Sequence, residues 1–100
     1  MFHIYILYSV SSDKYYIGYT ENTSKRLYMH NNPIDSKYTS KHLPWELKKS
    51  FEVGNNKTIA LKMERKIKNM KSRKFIEKLL IPNEGKKIFK DLLLKITPDC

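Results

Sequence analysis

Residues 2–20, FHIYILYSVSSDKYYIGYT, contain two runs rich in aromatic and β-branched side chains, 2–9 and 14–20, around the short loop Val10, Ser11, Ser12 and Asp13. That pattern predicts an antiparallel hairpin. A four-residue loop sets Ser9 opposite Lys14, and counting back along both runs sets Leu7 opposite Tyr16 and Tyr5 opposite Gly18. Strand side chains alternate between faces. Phe2, Ile4, Ile6 and Tyr8 therefore join Tyr15, Ile17 and Tyr19 on one apolar face, while His3, Tyr5 and Leu7 share the other with Tyr16, Gly18 and Thr20. Tyr5 and Tyr16 become diagonal neighbours roughly 7–8 Å apart. Gly18 is expected to leave open space beside them, enough to admit a ligand.

A helix is predicted over 23–31, with Asn22 or Thr23 as its cap and Asn32-Pro33 as its stop. Arg26 and His30 are four apart and so lie on one helical face. Residues 31–41 are polar, carry Pro33 and read as a loop from which Tyr38 and Thr39 fold back over the tyrosine face. A third strand is expected over 46–53, where Leu47, Phe51 and Val53 alternate against Lys48 and Glu52. A helix over 57–70 follows, its inward stripe drawn through Ala60, Met63, Ile67 and Met70. Ser72 can cap another helix over 73–81, which Pro82 stops, and 84–97 can form a last one that docks on the core or mediates dimerisation.

The predicted class is α+β, a small three-stranded antiparallel sheet flanked by helices. One hundred residues of 40% apolar composition fit one modest core, with 1–82 as the domain and 83–100 as its C-terminal helical extension. Glu64 falls beside the stripe of its helix. Read from the residues alone, it is either paired with a neighbouring Lys or Arg, or held inward because a metal ion compensates it.

The ordered set resembles the GIY-YIG nucleases, a family named for two triplets. Here they are His3-Ile4-Tyr5, with histidine in place of the first glycine, and Tyr16-Ile17-Gly18, with ten residues between the two tyrosines. Arg26 stands ten positions after Tyr16 and His30 four further on. The likeness continues through Arg26-Leu27, His30-Asn31, Tyr38-Thr39, Pro44-Trp45 and Glu64 to Ile67-Lys68. It covers roughly residues 2–81 and is closest to small single-domain members related to the nuclease half of UvrC repair proteins. The late asparagine of some homing endonucleases has no counterpart here beyond Asn83.

The resemblance implies a metal-dependent endonuclease that hydrolyses phosphodiester bonds in DNA, in repair, recombination or defence. Its site would be Tyr5, Tyr16, Arg26, His30 and Glu64 on one concave, accessible surface. Glu64 would anchor one Mg²⁺ or Mn²⁺, because such an ion keeps several waters and is satisfied by one or two carboxylates plus substrate phosphates. Arg26 would clamp non-bridging oxygens with paired hydrogen bonds that lysine cannot reproduce. Tyr5 or Tyr16 would stand by the attacking water, and His30 would relay its proton or hydrogen-bond a phenol. A nucleic-acid-binding module with the same fold and no turnover is the second reading.

Twenty Lys and Arg against ten Asp and Glu give a net charge of +10. This fits a polyanionic partner such as DNA, RNA being compatible with the same charge, or it reflects a chain simply rich in Lys, Asn and Ile. Cys100 is the single cysteine, so no disulfide framework and no thiolate zinc cluster can form within the chain, and His3, His30 and His42 lack zinc-site spacing. No run reaches the ~20 apolar residues of a membrane span. The apolar run at residues 2–9 is short, aromatic and soon followed by polar residues, unlike a signal peptide. A cytoplasmic monomer or weak homodimer away from membranes is expected.

Overall fold

The hairpin forms in the register that its loop length dictates. β1 (Phe2–Ser9) pairs antiparallel with β2 (Lys14–Thr20), Ser9 opposite Lys14, Leu7 opposite Tyr16 and Tyr5 opposite Gly18. A computed structural model describes residues 1–32 and 42–96. Within them β3 (Trp45–Gly54) pairs antiparallel with the other side of β1, giving the sheet order β2-β1-β3. β1 is therefore central, and Ile4, Tyr5, Ile6 and Leu7 are all buried.

Among the described residues four helices flank the sheet: α1 (Thr23–Asn31), α2 (Lys57–Asn69), α3 (Arg73–Leu79) and α4 (Glu84–Ile96). Side-chain oxygens satisfy orphan N–H groups at the starts of the first three. Asn22 accepts from the backbone N–H of Lys25, Asn56 from those of Thr58 and Ile59, and Ser72 from that of Phe75. The alternation of β1 then divides the core in two. Ile4 and Ile6 pack with Ile17, Phe51, Met63, Ile67 and Leu79 in a cluster under α2, α3 and α4. Tyr5 and Leu7 pack with Trp45, Tyr16 and Leu27 under α1. α4 docks on the larger cluster, where Phe89 stacks on Phe51 with ring centroids 4.3 Å apart.

β3 departs from simple alternation. Ile6 faces Lys49 while Leu7 faces Leu47, so Lys48 is an extra residue, a bulge. The bulge turns Leu47 onto the face of Leu7 and leaves Phe51 on that of Ile4, so Leu47 and Phe51 do not share one side as the sequence pattern suggests. A second irregularity, between Phe2 and His3, makes Val53 extra as well.

Arg73 joins distant parts of the chain by donating to the Asp13 backbone carbonyl at 2.9 Å and to its carboxylate. Tyr8 donates to the same carboxylate. The hairpin loop is thereby tied to the start of α3. Tyr38 and Thr39 lie outside the described residues. Among those described, no helix is long and apolar enough to cross a membrane.

Candidate active site

Tyr5 and His30 form the floor of the site. Tyr5 is 2% exposed and His30 9% exposed, and the phenol oxygen lies 3.0 Å from His30 Nε2. The helical phase of α1 that puts Leu27 into the Tyr5–Leu7 cluster also turns His30 inward. Burial pushes the Tyr5 phenol up, the nearby Tyr16 and Glu64 add to the rise, and Arg26 opposes it by charge and by a side-chain hydrogen bond. Burial first, and Arg26 second, hold His30 below its usual value, so the imidazole is neutral at pH 7. With Nε2 bare, a neutral imidazole is the natural acceptor for a phenol that keeps its proton.

The space expected over Gly18 is filled by Tyr5 itself. A methyl group built on Gly18 would overlap the Tyr5 hydroxyl and Cζ and come within 2.8 Å of Cε1. The glycine is needed for packing, because the buried phenol crosses its partner strand at that point. Gly18→Ala should therefore cost about 1–3 kcal/mol, as overpacked cores do, lowering the melting temperature by roughly 5–20 °C in a chain of this size. An unchanged thermal melt would show that Tyr5 does not rest on Gly18.

Tyr16 stands in front of this floor, half-buried at the edge strand. Its ring centroid lies 6.3 Å from that of Tyr5, 4.7 Å from that of His30 and 5.9 Å from that of Trp45. Arg26 is one helical turn before His30 and exposed, with its guanidinium acting on both Tyr5 and His30. Tyr5, Tyr16, Arg26 and His30 thus gather on the α1 face of the sheet.

Glu64 belongs to α2, whose core stripe packs on the opposite face. Its link to the tyrosines runs past the edge of β2, through Lys68. Glu64 Oε1 is 3.1 Å from Lys68 Nζ, which lies 5.5 Å from the Tyr16 ring centroid, and the carboxylate contributes to the rise at Tyr5. The Glu64 side chain is 15% exposed. Among the described residues no three or more His, Cys, Asp or Glu side chains gather as a metal site. A lone carboxylate at a half-open edge suits a hard cation that keeps its own waters and completes its shell with phosphates. Lys68 would have to swing aside to admit one.

The five residues therefore come together, but they do not share one accessible surface. Tyr5 and His30 are buried behind Tyr16, while Arg26, Tyr16 and Glu64 border solvent. Two neighbours were not named as site residues from the sequence. Trp45 packs edge-on against both Tyr16 and His30, and Lys68 pairs with Glu64, the pairing with a neighbouring Lys or Arg that the residues alone allowed. The i,i+4 spacing of Glu64 and Lys68 was the signal for the second. For Trp45 the signal was its place in the family likeness, while its position in the site depends on strand pairing with Ser9.

The family model for the GIY-YIG catalytic domain matches residues 1–78, from β1 into α3. No curated protein and no solved structure gives a match. Since the matched span takes in the hairpin, α1 and α2 together, the chain belongs to the GIY-YIG family, a family of nucleases.

Proposed function

We propose that the chain is a divalent-metal-dependent endonuclease that hydrolyses phosphodiester bonds in DNA. The observation that carries this reading is the approach of Glu64 around the edge of β2 to the face where Tyr16, Arg26, Tyr5 and His30 already stand. Packing does not require a carboxylate and an exposed guanidinium beside two phenols.

In this reading Arg26 binds the non-bridging oxygens of the scissile phosphate and neutralises charge that builds there. Tyr16, the more exposed phenol, orients the attacking water. Tyr5 and His30 fix the Tyr16 ring from behind, and the neutral imidazole gives protons leaving the nucleophile side a place to go. Glu64 would hold Mg²⁺ or Mn²⁺, which when bound supplies charge stabilisation at the departing oxygen. The relation to UvrC-type nucleases, a place in repair, recombination or defence, and action in the cytoplasm belong to the same proposal.

The test is a cleavage assay on duplex, branched and single-stranded DNA and on RNA, with magnesium, manganese or chelator. Metal-dependent nicking of DNA is expected. No nicking across the panel would move the assignment to a binding module, the reading favoured by the Lys68 ammonium already seated against Glu64. Binding to DNA should be salt-sensitive on either reading, with log affinity falling against log salt by about 0.9 per phosphate neutralised, or about 3.6 for four contacts. A flat response would return the net charge of +10 to composition alone.

A further inference from the structure

A groove of about 560 Å³ runs along the outer edge of β2, beside the candidate site and not used by it. The consecutive residues Tyr15, Tyr16 and Ile17 line one wall, so side chains of both sheet faces border it and it follows the strand edge itself. Among the described residues β2 has no strand partner on that side. The opposite wall comes from the end of α2 and the start of α3.

The groove is apolar at its base and basic at its rim. Ile17 and Ile67 are buried and Ile76 partly so, whereas Lys14, Lys68 and Lys71 are exposed. Lys14 and Lys71 take part in no ion pair among the described residues. Asp13 is the one acidic residue in the lining, and Arg73 compensates it. Tyr16 and Lys68 border both this groove and the candidate site, so the two are continuous.

We propose that the groove holds one unstacked nucleotide next to the bond being cut, its base against the part-exposed Tyr15, Tyr16 and Ile76 and its phosphates on Lys14 and Lys71. A continuous duplex shows only phosphates to such a surface and keeps its bases stacked inside, so an apolar floor offers it nothing. An unpaired nucleotide presents an apolar base plane and charged phosphates together, which is the pattern of the groove. The volume falls within the roughly 300–1,000 Å³ of sites that enclose a small ligand. Substrates with an unpaired strand beside the cleavage point are then preferred over continuous duplex. This rests on the endonuclease reading for the word substrate, although the binding it describes does not need turnover.

The experiment measures binding of the full chain in chelator by fluorescence anisotropy, using a blunt duplex and the same duplex carrying a short unpaired arm. The arm should tighten binding by about fivefold or more, the low end of what base stacking on aromatic side chains contributes. Abasic sites in the arm should remove most of that gain while keeping every phosphate. Lys14→Glu with Lys71→Glu should bring the ratio of arm-bearing to blunt affinity towards one, the ratio cancelling general electrostatic loss, and melting temperatures confirm that the variant is folded. Equal affinity for the two DNAs, a gain untouched by abasic sites, or a ratio untouched by charge reversal would each overturn the proposal. Arm preference in a chain that nicks nothing would support the groove and remove the endonuclease reading, so the two can fail separately.

Discussion

Glu64→Gln should reduce metal-dependent nicking at least about 100-fold, since even outer-sphere partners of a metal site cost 10–100-fold and this would be its only protein anchor. The exchange keeps the volume of the side chain and removes its charge. Stability should change little, because the lost i,i+4 pair with Lys68 has one partner largely in solvent and such pairs contribute about 0.3–0.5 kcal/mol. DNA binding should persist or tighten, as one negative charge leaves a phosphate-binding surface. The comparison is nicking of a plasmid by both proteins in magnesium, beside their thermal melts. If a folded Gln variant nicks at the wild-type rate, Glu64 is a salt-bridge partner of Lys68 and the metal anchor must be sought elsewhere.

Arg26→Lys should be nearly as severe, about 100-fold in turnover, the scale of losing one donor aimed at developing charge. The substitution keeps the positive charge but replaces a planar fork by a point charge that cannot grip two phosphoryl oxygens at once. Substrate affinity, largely a matter of total charge, should fall much less. The charge of Arg26 also lowers the Tyr5 and His30 values, and lysine keeps that charge, so the loss falls on the phosphate clamp rather than on the proton-handling groups. A variant with wild-type turnover and weakened affinity would make Arg26 a general phosphate contact, with no special part in the reaction.

The parts of the fold that were legible in sequence are those fixed by local geometry. Loop length and the period of two set the hairpin register, with Tyr5 opposite Gly18 and Leu7 opposite Tyr16. Ser72 marks a helix start, and Asn22 was one of two caps the sequence offered for α1, because few residue types can satisfy free N–H groups there. What escaped depends on distant partners. The bulge at Lys48 exists only in the pairing of β3 with β1, so alternation placed Leu47 on the side of Phe51. An empty space over Gly18 was a fair reading of a missing side chain, but the Tyr5 rotamer that fills it is decided by His30 and the packing of α1. Burial of Tyr5 and His30 behind Tyr16 likewise follows from the layer that α1 adds. The groove along β2 needs α2 and α3 in place before it exists.

Leaving β2 and β3 as the two margins of a three-stranded sheet has a consequence for self-association. An exposed margin is a template on which another copy can add its own strand, the first step towards aggregation. Each margin here carries a deterrent. β3 bends at its bulge and bears Lys48 and Lys49, and β2 begins with Lys14 and is overlooked by Lys68 and Lys71. Like charges meet when two such margins approach, which opposes the pairing of one edge with another. Exchange of the β2 lysines for glutamate would set that margin opposite in charge to the Lys48–Lys49 margin of β3, so the charge-reversed variant should be checked for self-association beside its melting temperature.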